Sequence, residues 1–223
     1  MDFLLDDAEG PDHADHLGRP TVLLAHGAGA AMDSDFMAQI AAQLAACGLN
    51  VARFEFAYMA QRRSGGSKRP PPKVEILQDE YRAAVEALAP KGPLIIGGKS
   101  MGGRVASLVA DELHDQGQIA GLLCLGYPFH PTGKPDKLRT EHLETLQTPA
   151  LICQGTRDPF GTRAEVDTYA LSDKITLAWL EDGEHDLKPR KTLTGKTQAD
   201  HLHSAATTAA AWIAGLEGLQ AAG

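Results

Sequence analysis

The 223-residue chain is 43% hydrophobic and 22% charged and carries 23 glycines, a globular composition long enough to bury a sizeable core and without the bias that keeps chains disordered. Its net charge of −8 argues against nucleic-acid and membrane surfaces, which need concentrated positive charge, and leaves a small-molecule substrate as the expected partner, with protein partners unspecified. No apolar stretch approaches membrane-spanning length, and the acidic start MDFLLDDAEG does not read as a secretory signal.

Short apolar runs alternate with segments of helical period, which predicts one α/β domain over residues 1–223: a mostly parallel sheet of six to seven strands with helices on both faces. In chain order the strands are TVLLAH (21–26), NVARFEF (50–56), PLIIGG (93–98), GLLCLG (121–126), ALICQG (150–155) and ITLAWL (175–180). Residues 59–72, MAQRRSGGSKRPPP, read as a long surface loop because Gly, Pro and basic side chains dominate them. Helical faces follow at Val74, Leu77, Tyr81, Val85 and Leu88, at Met101, Val105, Leu108, Val109 and Leu113, and at Leu202, Ala206, Ala209, Ile213 and Leu216. Residues 127–140, YPFHPTGKPDKLRT, lack periodicity and leave a strand end, where open α/β sheets bind ligands. Cys47, Cys124 and Cys153 are odd in number, and two lie in apolar runs. They read as reduced thiols of a cytoplasmic protein.

The strongest chemical signal is Gly98-Lys99-Ser100-Met101-Gly102, a G-x-S-x-G sequence between a strand and a helix, the setting of a serine nucleophile on a sharp turn. The same residues resemble the end of a phosphate-binding loop, but the first glycine of that motif would fall on Pro93. A serine hydroxyl needs a base, and the order serine, acid, histidine selects His185 in GEHDLK and Asp158 in TRDPFG. Asp182 and Asp186 are the rival acids. His201 and His203 are expected to be solvated, and His114 to sit at a helix end. Backbone donors for an oxyanion are expected at Met101 and in the loop His26-Gly27-Ala28-Gly29-Ala30, at Ala28 with Gly29 behind it, while His26 braces the loop. This chemistry calls for no metal or organic cofactor. Tyr58, Met59, Tyr127, Phe129 and Phe160 are candidates for a substrate pocket or for the core. Arg62, Arg63, Lys68 and Arg69 either steer an anionic substrate or keep a loop solvated.

The segments LLAHGAGA, FEFAYM, GGKSMGGRVAS, LCLGYPFHPTGKP with LRTEHL, QGTRDPFG and LEDGEHDLKPRK together resemble one branch of the α/β-hydrolases. That branch holds a small testis-expressed hydrolase-like protein and a related domain of a nonspecific-lethal chromatin complex subunit. The resemblance implies the α/β-hydrolase fold and the roles of Ser100, Asp158 and His185, while neither the 59–72 nor the 127–140 segment is long enough to form a separate lid domain. The expected activity is hydrolysis of a small ester or thioester. The competing expectations are a noncatalytic binding or scaffold module on the same fold and a dienelactone-hydrolase-like enzyme, whose relatives often carry Cys where this chain has Ser100.

Overall fold

The structure is a computed structural model, and it describes residues 1–9, 18–63, 65–67 and 69–216. Its centre is a seven-stranded sheet of β1 (Phe3–Asp6), β2 (Thr21–Ala25), β3 (Asn50–Phe54), β4 (Leu94–Lys99), β5 (Gly121–Leu125), β6 (Ala150–Gly155) and β7 (Ile175–Leu180). The spatial order is β1-β3-β2-β4-β5-β6-β7, all parallel except β1, which runs antiparallel to β3. Every residue of β2, β4, β5 and β6 is buried, as strands covered on both faces must be, and this explains why they read as unbroken apolar runs.

The helices are α1 (Asp35–Ala46), α2 (Ala57–Arg63), α3 (Val74–Leu88), α4 (Met101–Asp115), α5 (Arg163–Val166), α6 (Lys191–Thr194) and α7 (Gln198–Ala214). On one face α1 and α7 bury Met37, Ile40, Leu44, Leu202, Ala206 and Ile213 against Val22, Ile95, Leu123 and Leu151. On the other, α3 and α4 bury Leu77, Tyr81, Val105 and Val109 against Leu23, Ile96, Leu122 and Ile152. Alternate residues of each strand feed the two cores, following the two-residue period of the pleat. No helix among the described residues is long and apolar enough to cross a membrane.

Three features depart from the sequence expectation. β1 pairs at the sheet edge, held by the Arg53 guanidinium, which donates to Asp6 Oδ2 at 2.9 Å. α1, alanine-rich, has too weak a pattern to stand out. Residues 59–63 belong to α2 and are not loop, because AYMAQRR contains neither Gly nor Pro and buries Tyr58 and Met59 in the core.

Tyr81 of α3 locks the sheet at its midpoint. Its buried hydroxyl accepts from Gly97 N–H at 2.8 Å and lies 2.7 Å and 3.0 Å from the carbonyl oxygens of Gly97 and Leu23, which share its one proton. A buried backbone group left without a partner costs roughly 1–3 kcal/mol. Tyr81→Phe is therefore expected to destabilise the fold by about 2–3 kcal/mol, read from the urea midpoint at unchanged slope.

Candidate active site

The chain leaves β2 toward β3 on one side and, further on, toward β4 on the other, so the strand order reverses between β2 and β4. The carboxyl ends of these two strands form the crevice where sheets of this kind bind ligands. Ser100 stands there between β4 and α4, with φ 51° and ψ −115°, a conformation that costs a non-glycine residue about 1–3 kcal/mol. The turn is enforced by close packing against β2. A Cβ on Gly98 would run into the carbonyl oxygen of Ala25, and one on Gly102 into those of Ala25 and His26. The result is a hydroxyl at the start of a 15-residue helix, whose first N–H groups lack intrahelical acceptors and favour negative charge.

Ser100 Oγ lies 2.8 Å from His185 Nε2, and His185 Nδ1 lies 2.9 Å from Asp158 Oδ2. Asp158 is fully buried. It also accepts from Gln154 Nε2 at 3.0 Å on Oδ2 and from Phe160 N–H at 2.9 Å on Oδ1. Three donors thus converge on one carboxylate, which fixes its plane and aims it at the imidazole. Phe160 also packs on the His185 ring, with centroids 4.2 Å apart.

The loop after β2 is braced as the sequence suggests for His26. Its Nε2 accepts from Phe56 N–H at 3.2 Å, so Nδ1 carries the proton that goes to Gly27 O at 2.7 Å, and burial holds the ring below its ordinary pKa. Tyr58 donates to Ala28 O at 3.0 Å, holding the loop whose Gly27 lies against Lys99 and Ser100.

The chain matches the family described as alpha/beta hydrolase domain over residues 18–214. It belongs to that family. A lidless α/β serine hydrolase from Xanthomonas campestris superposes with a TM-score of 0.65 at 21% identity, over 94% of this chain and 88% of that one. A dienelactone hydrolase from Anabaena variabilis gives 0.70 at 18%, over 96% and 91%, and Est1E from Butyrivibrio proteoclasticus 0.65 at 13%, over 95% and 94%. A non-reducing polyketide synthase of Cladonia grayi is 30% identical over 155 residues, which are 60% of this chain and 7% of the synthase.

In this α/β-hydrolase chain the loop carrying His185 is tied down at several points. Asp182 accepts from Arg190 N–H at 2.7 Å and pairs with the Arg190 guanidinium, which holds its carboxyl down at about 2. Leu187, at φ 59°, inserts into the core, and its carbonyl oxygen lies 2.8 Å from His201 Nδ1. Lys99 Nζ donates to His185 O at 2.8 Å and pairs with Asp186 at 3.2 Å. Both rival acids therefore hold the loop and not the imidazole. His201 is buried beneath it, contrary to the expectation of a solvated histidine, because the Leu187 carbonyl needs a donor there. Exposed His203 lies 2.9 Å from Gln43 Oε1, and His114 stands in the last turn of α4.

Other expected contributors lie elsewhere. Met59, Tyr127 and Phe129 are buried in the core. Arg63 donates to Glu55 and Asp33, so it is an ion-pair anchor. Arg62 donates to Arg69 O at 2.9 Å and lies over the Tyr58 ring; Lys68 falls outside the described residues. A second Ser–His contact, Ser107 Oγ to His142 Nε2 at 2.8 Å, has no carboxylate on the imidazole among the described residues, and burial, aided by Arg104, lowers His142 to about 4. A cavity of about 1120 Å³ opens beside Leu94, Ala120 and Pro149 at the amino ends of the strands, opposite the Ser100 edge.

Two predictions follow from these contacts. Lys99→Met keeps the packing but removes the hydrogen bond to His185 O, so the reaction of Ser100 with a fluorophosphonate is expected to slow roughly tenfold; an unchanged rate in the folded variant means that this bond does not position His185. His26 and His142 titrate lower in the folded chain than in the unfolded one, so the unfolded state binds more protons as pH falls through 6.5. The stability they contribute is present above that pH and is lost toward pH 4, by less than about 3 kcal/mol for partly exposed His142. Urea midpoints for wild type and His142→Gln across pH 4–7 measure the difference, and the variant should show the shallower loss.

Proposed function

We propose that the chain is a serine hydrolase that cleaves a small ester or thioester through an acyl intermediate on Ser100. The observation that carries this reading is the continuous hydrogen-bonded line from Ser100 through His185 to buried Asp158, in the chain order serine, acid, histidine. His185 takes the Ser100 proton as Oγ attacks the carbonyl carbon. Met101 N–H and Ala28 N–H, with Gly29 behind, receive the oxyanion, each donor supplying about 3 kcal/mol in the transition state. The imidazolium, steadied by Asp158, protonates the departing alkoxide or thiolate. Water then attacks the acyl-Ser100 carbonyl with His185 again accepting a proton, and Ser100 leaves reprotonated. These steps use no metal or organic cofactor.

The order of LLAHGAGA, GGKSMGGRVAS, LCLGYPFHPTGKP, QGTRDPFG and LEDGEHDLKPRK supports placing the chain in the branch of the testis-expressed and nonspecific-lethal relatives. Three free thiols, two of them fully buried, suit a reducing compartment such as the cytoplasm. Likeness to a dienelactone hydrolase makes lactones, which are cyclic esters, part of the substrate screen.

The test is covalent labelling by a fluorophosphonate probe. Wild type is expected to label, Ser100→Ala and His185→Ala to lose the label, and Asp158→Asn to slow it by about 10³-fold or more, since an amide turns a donor toward groups that are already donors. A folded wild-type protein that resists the probe would overturn the hydrolase reading in favour of a binding module.

A further inference from the structure

Of the arginines withdrawn from solvent, Arg53 has Asp6, Arg82 has Glu112 and Arg157 has Asp182 as a carboxylate partner, while Arg19 and Arg62 donate to the carbonyl oxygens of Glu9 and Arg69, Arg62 with its Nε also buried without a partner. Arg104 and Arg139 are half-buried and pair with no acid among the described residues. Arg104 Nε is moreover buried without any hydrogen-bond partner. Leaving such a donor unsatisfied costs roughly 1–3 kcal/mol, and two unpaired guanidiniums add mutual repulsion.

The main-chain carbonyls of the two residues belong to one hydrogen-bond network. Arg104 lies in the first turn of α4, four residues after Ser100, to whose carbonyl oxygen its N–H donates at 3.0 Å. Ser107 donates to Arg104 O at 2.8 Å and meets His142 at the same distance, while Tyr127 donates to Arg139 O at 3.0 Å. Each charge acts on its surroundings. Burial and the Arg104 charge pull Arg139 below the ordinary arginine value. His142, held neutral, adds no positive charge. Asp111, the carboxylate that acts on His142, is occupied by the N–H groups of Gln147 and Thr148 and by the Thr148 hydroxyl. Neutral groups therefore surround two cations that lack an anion, one of them a single helical turn along α4 from the proposed nucleophile.

We propose that Arg104 and Arg139 form an anion subsite that holds a carboxylate or phosphate group carried by the substrate. The substrate side of this inference rests on the serine-hydrolase reading, whereas anion binding stands apart from it. It moves anion recognition from the 62–69 segment, where Arg63 is already paired, to α4 and the loop after β5.

The test compares p-nitrophenyl hemiglutarate with p-nitrophenyl valerate, esters of matched length with and without a carboxylate. Wild type is expected to prefer the acidic ester in kcat/KM, and Arg104→Gln or Arg139→Gln to lower that preference about tenfold or more, mainly through KM. Arg104→Lys, which keeps the charge and loses the fork, should retain part of it. Thermal unfolding supplies a readout that needs no hydrolysis. Glutarate or inorganic phosphate should raise Tm in wild type and not in the glutamine variants, and the stronger of the two identifies the anion. Without added anion, Arg104→Gln should raise Tm, because it removes an unpaired buried charge; a purely structural arginine would lower it. Equal losses on both esters, or no Tm response to either anion, overturns the subsite. An anion-dependent Tm that requires Arg104, in a protein whose Ser100 does not label, sustains the subsite while the hydrolase reading falls.

Discussion

The arrangement depends on one steric constraint, the contact of the turn after β4 with the last carbonyls of β2. Glycine at 98 and 102 lets the backbone of the elbow lie against Ala25 and His26, and this contact forces Ser100 into its left-handed conformation. The β2–β4 ladder pairs Ala25 with Gly98, so the loop after β2 and the Ser100 hydroxyl are set relative to each other by main-chain geometry. Tyr81 supports the same junction from below through Leu23 and Gly97.

The partners of Ser100 reach it from the other half of the sheet. Asp158 follows β6 and His185 follows β7, and both turns are closely packed: a Cβ on Gly155 would strike Gly183 O, and one on Gly126, at φ 65°, would approach His185 O. Gln154 joins these turns to the loop after β5, since its amide oxygen accepts from Tyr127 N–H at 2.7 Å while its nitrogen donates to Asp158. Tyr127 thereby connects the acid, through its backbone, with Arg139, through its hydroxyl.

Much of this was legible in the sequence because the signals are local. Continuous apolar runs marked β2 to β7, and Gly, Pro and Asp at strand ends marked the turns that bring Ser100, Asp158 and His185 together. Other features depend on partners far along the chain. FLLD at 3–6 is too short and acidic to read as a strand until β3 lies beside it, and α2 was hidden by the Gly and Pro residues that follow it. Lys99 looked like a variable position of the motif, and its contact with His185 O spans 86 residues. His201 looked solvated because the pattern of a helix does not reveal which loop crosses above it. Arg104 reads as an ordinary polar helix residue; only the structure shows that it lacks an acid.

Leu187 has a consequence for motion. It is a core side chain in the loop that carries His185, two residues away, and its carbonyl is bound by a histidine of α7. The loop cannot swing out unless Leu187 leaves the core and α7 gives up its contact, an opening that exposes apolar surface on the scale of subglobal unfolding. The proposed base is therefore not on a hinge. Amide exchange at residues 185–187 should follow the slow exchange of the core, and the site should disassemble with that core when the protein melts.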